Sequence, residues 1–226
     1  TSFDFNNPKH VESMYDVNGR DPRLFKTMLY NGATWKGETV ESYQGGKNGY
    51  PRNGATRTSY YLKKYLKESV NLTTGSATSE RHVWVIFRYA EIFLNYAEAL
   101  NEAYGPEYID GQFSLSAKDA VNKIRQRVGM PLLPSLSQDM FREKVRNERR
   151  VEFAFEGQRF WDIRRWKIGD RTNMIYGLEI EKGENGAFEY NRILVEPRKW
   201  EDKMYIYPIA NTERFKNVNL VQNPGW

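Results

Sequence analysis

The clearest helix is predicted over residues 88–104, where apolar side chains recur every three or four positions. Its main stripe consists of Tyr89, Phe93, Tyr96, Leu100 and Ala103. A second apolar stripe lies beside the first, which is typical of a helix packed between neighbouring helices. A Gly-Pro pair directly after residue 104 then ends the helix.

Three further helical stretches follow. One is predicted to begin after Ser116, whose hydroxyl can cap the first turn, and to end before Gly129. The next begins at one of two serines and covers about residues 135–155, with Gly157 as its C-cap. A shorter one covers residues 160–167. Helices of this length joined by short turns predict a mainly α fold of tetratricopeptide-like hairpins, although the repeat signature itself is not matched.

Beyond residue 170 the apolar pattern alternates in short runs, which predicts a small β-hairpin or a three-stranded patch near the C-terminus. The alternating residues are Phe188, Tyr190, Ile193, Val195, Tyr205 and Tyr207. The last eight residues, 219–226, are predicted to form an extended tail whose Trp226 packs on the body.

The first part of the chain differs from the rest. Seven of the 17 glycines fall between residues 19 and 54, together with several turn-forming pairs. We therefore divide the chain into a loop-rich, variable segment over residues 1–80 and a helical scaffold with a small β patch and an extended tail over residues 81–226. The loop-rich segment is the candidate ligand face, because binding residues are often found on loops held by a rigid scaffold.

Composition excludes several kinds of site. The 226 residues contain no cysteine, which excludes disulfides, thiolate nucleophiles and cysteine-based metal centres. His10 and His82 have no second histidine at ligand spacing, so each is interpreted as an ordinary surface or hydrogen-bonded residue. No apolar run approaches the roughly 20 residues of a membrane-spanning helix. We predict no metal centre, no cofactor and no catalytic residue.

Two glutamates are placed unusually on the third helix. Glu148 and Glu152 fall on the stripe that also contains Phe141, Val145 and Phe155. Burying an unpaired carboxylate is very unfavourable, so cationic partners are expected close by. The arginines available in this region are Arg149, Arg150, Arg159, Arg164 and Arg165. We interpret the two glutamates as members of a buried ion-pair network.

Two alternatives use the same region. The first is a glycoside hydrolase with Glu148 and Glu152 as its acid/base pair, but a general acid needs a raised pKa and nearby arginines lower it. The second is a nucleic-acid helix over residues 142–165. Five acidic residues interleaved with the arginines neutralise that stretch, which therefore attracts phosphate weakly, and we predict no nucleic-acid partner.

Several motifs resemble those of the SusD/RagB family. Residues 88–99 (RYAEIFLNYAEA) resemble its R-x-A-E-x-x-L-x-x-A-E-A helix. Residues 147–166 (NERRVEFAFEGQRFWDIRRW) resemble its N-E-R-R-x-E signature, which continues through E-G-x-R-x-x-D-x-R-R-W. Residues 21–23 (DPR), 205–209 (YIYPI) and 222–226 (QNPGW) are similar to further family elements, in the family's order along the chain.

The resemblance implies a non-catalytic, glycan-binding lipoprotein that faces outward from the bacterial outer membrane on a tetratricopeptide-like scaffold. Such proteins hand substrate to a TonB-dependent transporter of the SusC type. Family members carry a lipidated cysteine and a longer N-terminal helical half. We therefore expect this chain to be the C-terminal part only, with the lipid anchor and the N-terminal half outside it. A scaffold that binds the transporter without binding a glycan is a further alternative.

The family's signature residues belong to its scaffold, and its glycan contacts vary between members. The residues matching the signature are Arg88, Glu91, Glu98, Asn147, Glu148, Arg149, Arg150, Glu152, Glu156, Gly157, Arg159, Trp161, Asp162, Arg164 and Trp166.

Candidate ligand residues come instead from local chemistry on the glycine-rich loops of residues 25–55. Trp35, Tyr43 and Tyr50 are the predicted stacking platforms, since flat rings on loops suit sugar faces. The predicted polar partners are Asn31, Lys47 and Arg52. Residues 17–70 hold ten basic and four acidic residues, whereas the whole chain has a net charge of +5. This local excess favours acidic glycans, and it equally suits a face for the transporter or for the rest of the protein.

Overall fold

The predicted helical stripes fold as packed helices. The computed structural model describes residues 4–226 apart from Ser13 and Val17. The seven α-helices in these residues are α1 (Pro8–Glu12), α2 (Arg23–Thr27), α3 (Tyr89–Tyr104), α4 (Ala117–Arg127), α5 (Gln138–Glu152), α6 (Gln158–Arg165) and α7 (Asn211–Lys216). The strands in the same residues are β1 (Met28–Leu29), β2 (Thr34–Trp35), β3 (Glu38–Thr39), β4 (Tyr61–Leu62), β5 (Met174–Lys182) and β6 (Phe188–Pro197). The mainly helical fold with long loops and a small β element is confirmed.

The main core lies between α3, α4 and α5. Leu94, Val121 and Phe141, one from each helix, are almost completely buried in it. The cap predicted for α4 is present, because the Ser116 hydroxyl accepts a hydrogen bond from the Asp119 backbone N–H at 3.1 Å. Each helix buries one apolar face against the other two. In α3 that face is formed by Leu94, Ala97 and Leu100, mostly from the second stripe, whereas Tyr89 of the predicted main stripe is 69% exposed, because the core lies on the side of the smaller residues.

Helix α5 ends earlier than the prediction. It stops at Glu152, and Gly157, with a φ of +80°, is the N-cap of α6 rather than the C-cap of α5. Phe155 has left the helix with a φ of +64° and is 49% exposed, so its predicted place on the buried stripe is wrong. The turn brings the Glu156 carboxylate to within 2.6 Å of the Lys64 ammonium. If the helix continued, the Glu156 side chain would point in another direction and this ion pair would not form.

The β element is a two-stranded antiparallel hairpin of β5 and β6. Its turn contains an Asn-Gly pair at residues 185–186, and Ile180 lies opposite Tyr190. Tyr205 lies in a short 3-10 helix (Asp202–Tyr205), so the three-stranded alternative is wrong for the described residues. The strand β5 had no counterpart in the sequence prediction, although Leu178 and Ile180 alternate with polar residues as a half-buried strand requires.

Gly177 lets the loop-rich segment approach the hairpin closely. A Cβ at this position would lie 2.6 Å from the Cα of Thr58, which is closer than nonbonded atoms can come. The Leu178 N–H donates to the Thr58 carbonyl at 3.2 Å, and the Ser59 hydroxyl donates to the Leu178 carbonyl at 2.7 Å. A second small core, which includes Met14 and Leu178, forms under this contact.

The tail is anchored at its end and includes a turn at residues 224–225, and helix α7 in the segment before it was not foreseen. The Trp226 indole N–H donates to the carbonyls of Lys203 and Ile206 at 3.0 and 2.9 Å. The Gln222 side chain both accepts from the Ile209 N–H at 2.8 Å and donates to the Ile209 carbonyl at 3.0 Å. Among the described residues, no helix has both the length and the apolar content that crossing a bilayer requires.

Candidate functional site

Glu148 and Glu152 are buried on the inner face of α5, as the sequence predicts. Arg23, at the start of α2, lies between the two carboxylates. Its Nη2 is 2.7 Å from Glu148 Oε1, and its Nη1 donates to Glu152 Oε2 at 2.7 Å. Arg125 completes the contacts of Glu148 by donating to Oε2 at 2.8 Å, and Arg127 donates to Glu152 Oε1 at 2.7 Å. Both glutamates are therefore members of a buried ion-pair network.

The predicted partners of this network were wrong. The arginines that contact the two glutamates come from outside α5 and α6, and they are Arg23, Arg88, Arg125 and Arg127. The arginines nearest in sequence make no ion pair with either glutamate. The reason is geometric: neighbours on one helix point in different directions, so a side chain adjacent in sequence cannot reach the same face. Arg149 turns instead to Asp162, with its Nε 3.1 Å from Oδ2.

Most other signature residues form similar pairs that join helices. Arg149 also donates to Asn95 Oδ1 on α3 at 2.6 Å. The pairs that connect the remaining members are Arg88 with Glu156 at 2.8 Å, Trp166 Nε1 with Glu98 at 2.7 Å, Arg165 with Glu98, and Gln158 with Glu91 at 3.0 Å. Arg164 stacks its guanidinium 3.6 Å from the centre of the Phe160 ring. The signature therefore cross-links α3, α5 and α6.

The electrostatics of Glu152 oppose a role as general acid. Burial raises its pKa, but hydrogen bonds from Arg88 and Arg23 and the charge of Arg127 lower it by more, so that the pKa lies below the ordinary glutamate value. A general acid at neutral pH needs the opposite shift. Among the described residues, no three histidine, aspartate or glutamate side chains group as metal ligands either.

The lowered pKa of Glu152 predicts acid sensitivity. A carboxylate that is ionised more readily when folded stabilises the protein above its unfolded-state pKa of about 4.3, and that contribution is lost as the pH falls through the lower folded-state value. Urea unfolding of the wild type and of Glu152→Gln at pH 7, 5 and 3 measures it. We expect the stability gap between the two proteins to shrink at pH 3, and a constant gap would contradict the ionised network.

Two signature residues, Asn147 and Arg150, lie outside the network. Both side chains are exposed, unlike that of Glu148 on the same helix. The side chain of neither residue forms a hydrogen bond or an ion pair with another described residue. Both line a cavity of about 1160 Å³ between α5, residues 18–28 and residues 129–131. The remaining members, Trp161 and Arg159, lie on α6, where Trp161 is 61% exposed.

The six predicted ligand residues do not form one surface. Asn31 is buried, and its Oδ1 accepts a hydrogen bond from the Ser42 N–H at 3.1 Å, so its carbonyl end supports the loop. Trp35 packs on a small core formed by Leu29, Ala33 and Val40. Lys47 forms an ion pair with Glu38 at 2.8 Å. Tyr50 is half exposed, and Arg52 is exposed.

Tyr43 lies beside a second feature, the distal half of the β5–β6 hairpin. Its ring centre is 5.3 Å from that of Phe188, and the Lys182 ammonium lies 5.4 Å from the Tyr43 ring centre. Phe188 and Lys182 line a groove of about 610 Å³ that runs from the hairpin to residues 5–11. We call this the hairpin groove.

The hairpin groove combines rings with polar groups. Phe5, Phe188 and Tyr190 supply its aromatic walls. Its polar lining residues are Asn6, Glu181, Lys182, Asn185, Glu189 and Asn191. The sequence prediction missed these residues, although the Asn-Gly turn flanked by alternating residues was the signal that could have located the hairpin.

The fold and the site define a helical scaffold with long loops, cross-linked internally by arginine–carboxylate pairs and open to solvent at two grooves. The sequence model of the SusD family matches residues 6–226, and the chain belongs to that family. A curated relative, a SusD-like protein of Formosa agariphila, is 30% identical over 177 residues, which are 74% of this chain and 30% of the relative.

Two solved structures from Bacteroides fragilis are similar to the chain. A SusD-like protein is 33% identical with a TM-score of 0.79, over 94% of this chain and 41% of that one. A SusD-like carbohydrate-binding protein is 30% identical with a TM-score of 0.74, over 98% of this chain and 45% of that one. The chain thus spans less than half the length of these relatives.

Proposed function

We propose that this chain is part of a non-catalytic glycan-binding protein, and that the hairpin groove contacts the glycan. The hairpin groove carries the proposal, since it places aromatic rings and several amide and carboxylate side chains around about 610 Å³. Rings stack on the apolar faces of sugars, and amides and carboxylates bind hydroxyl groups. The similarity to the SusD-like carbohydrate-binding protein of Bacteroides fragilis supports the same function.

Tyr43 connects this groove to the predicted ligand face of residues 1–80. Its contact with Phe188 joins a loop of that segment to the hairpin of the scaffold. Loops and hairpin together would then offer a longer surface to an oligosaccharide than either does alone. The neighbouring loops carry further predicted glycan contacts, which are Trp35, Tyr50, Lys47 and Arg52. The proposal also keeps the division of the chain into a loop-rich segment over residues 1–80 and a scaffold over residues 81–226.

We further propose the cellular setting that the family resemblance implies. The protein acts at the bacterial outer membrane, faces outward, is held by a lipid anchor, and hands its glycan to a SusC-like TonB-dependent transporter. Co-purification of the intact protein with a SusC-like transporter of the same organism tests the partnership. A transporter complex that forms normally while no glycan binds would favour the scaffold alternative.

The glycan proposal predicts which rings matter. A glycan array identifies a ligand, and titration then compares the wild type with Phe188→Ala and Tyr43→Ala. Each lost stacking ring removes on the order of 1 kcal/mol or more, so we expect about tenfold weaker binding for each variant. Phe215→Ala is the matched control, because Phe215 on α7 is an exposed ring outside the hairpin groove.

Several outcomes would contradict the proposal. Unchanged affinity in both Phe188→Ala and Tyr43→Ala moves the contact elsewhere, and Trp35→Ala and Tyr50→Ala then test the remaining predicted rings. Equal losses in Phe215→Ala indicate a nonspecific effect. Polysaccharide cleavage that disappears in Glu148→Gln would support the glycoside hydrolase alternative, although the ion pairs of Glu148 with Arg23 and Arg125 argue against it.

A further inference from the structure

The cavity between α5 and residues 18–28 is the larger of the two grooves and is separate from the hairpin groove. Its volume of about 1160 Å³ exceeds that of the hairpin groove and is sufficient for more than one sugar residue. We call it the α5 cavity. We propose that the α5 cavity binds an acidic sugar residue of the glycan, with the carboxylate or sulfate on Arg150 and the sugar face against Phe155. The inference rests on the proposed glycan-binding function and names its substrate class.

The charges of the cavity wall carry the first step. Four arginines line it, Arg20, Arg23, Arg125 and Arg150, against the carboxylates of Asp21 and Glu148. The carboxylates already hold Arg23 and Arg125 in ion pairs. The wall therefore has an excess of positive charge that attracts an oxyanion.

Arg150 is the arginine best placed to receive that oxyanion. It is exposed on the outer face of α5 and makes no ion pair with any other described residue, unlike its helix neighbours Arg146 and Arg149. The pKa of Arg159 is lowered first by burial and second by repulsion from the positive charge of Arg150. A guanidinium can hold a carboxylate or a sulfate through two parallel hydrogen bonds.

Asn147 lies three positions before Arg150, one turn away on the same face of α5, and lines the same cavity. Its amide also has no hydrogen-bond partner among the described residues. An amide beside a guanidinium suits a sugar that carries hydroxyl groups next to its acidic group. Neither side chain takes part in the buried ion-pair network of Glu148, which also lines this cavity.

Phe155 supplies the apolar wall. Its ring is about half exposed and lines the cavity, while its backbone has a φ of +64°, an unfavourable region for a bulky residue. Such strain persists only where the surrounding structure holds it, and it is concentrated at binding sites. A ring held outward next to Arg150 and Asn147 offers a sugar both a stacking face and polar partners.

Matched pairs of oligosaccharides test the proposal on the intact protein. The probes are tetragalacturonate and its methyl ester, and a sulfated galactan tetrasaccharide and its desulfated form. We expect at least one acidic probe to bind about tenfold more tightly than its neutral partner at low salt, and the advantage to shrink as salt is added. The two pairs distinguish a carboxylate from a sulfate.

Variants then locate the effect. Arg150→Gln should weaken binding of the preferred acidic probe about tenfold and leave its neutral partner unchanged, whereas Phe155→Ala should weaken both. Lys144→Gln is the control, because Lys144 is an exposed cation on α5 that does not line the cavity. Equal losses in Lys144→Gln and Arg150→Gln would overturn the site.

The outcomes separate this inference from the proposed function. If neutral glycans bind through the hairpin groove and neither acidic probe binds more tightly than its neutral partner, the inference is wrong and the function stands. If no glycan of either kind binds the intact protein, the proposed function fails and the inference fails with it.

Discussion

Glu152→Ala is expected to lower the free energy of unfolding by roughly 3–5 kcal/mol, the usual cost of removing one partner from a buried ion pair. Glu152 is only 5% exposed and holds the guanidinium groups of Arg23, Arg88 and Arg127. The substitution leaves these cations around a buried space without their counter-charge. Urea denaturation followed by circular dichroism measures the loss.

Glu143→Ala is the matched control, since Glu143 lies on the same helix and also contacts two arginines, Arg146 and Arg171. Its side chain is half exposed, so we expect a loss of about 1 kcal/mol or less. If Glu152→Ala does not fold, Glu152→Gln keeps the shape and should lie between the other two. Equal stabilities of Glu152→Ala and Glu143→Ala would show that the buried network contributes nothing special.

Phe141→Ala is expected to cost a similar amount, about 3–5 kcal/mol, for a different reason. Its ring is completely buried between α3, α4 and α5, so truncation removes apolar burial and leaves a cavity that rigid neighbouring helices cannot fill. Thermal and urea unfolding should both report the loss.

Met140→Ala is the corresponding control. Met140 is the preceding residue of α5 and is 57% exposed, so we expect its stability to stay within about 0.5 kcal/mol of the wild type. A small effect of Phe141→Ala would mean that α5 can repack against its neighbours. A large effect of Met140→Ala would mean that another surface covers this face of α5 in solution.

The buried network also determines how the proposed ligand face is held. Arg23 and Lys64 belong to the loop-rich segment. Arg23 contacts Glu152 at the end of α5, and Lys64 contacts Glu156 in the turn that follows α5. Arg23 and Glu152 are 129 residues apart in sequence. Loops that present Tyr43 and the wall of the α5 cavity are thereby attached to the rigid helices, which favours binding because less loop entropy is lost.

The helices were predictable because their signals are local. The stripe that includes Leu100, the Ser116 cap and the burial of Glu148 all follow from spacing within one helical turn. The end of α5 was not predictable in this way. The chain leaves the helix before Phe155, where Glu156 gains Lys64 and Arg88, and those partners come from distant parts of the chain.

The candidate site shows the same division. Sequence patterns indicated that rings on loops are candidate platforms, but they did not show that Tyr43 lies beside Phe188 while Trp35 packs on a separate small core. The close approach of Thr58 to Gly177 decides this, and it depends on the packing of segments more than one hundred residues apart.

By itself, the sequence determined the family motifs, the helical scaffold, the absence of cysteine chemistry and the need for cations around Glu148 and Glu152. Only the tertiary structure decided which arginines meet those carboxylates and which, such as Arg150, stay exposed. The physical reason is that a long arginine or lysine side chain could form an ion pair with any of several carboxylates that are chemically equivalent. Which ion pair forms depends on how the helices and loops are positioned relative to one another, and sequence periodicity within one helix does not specify that.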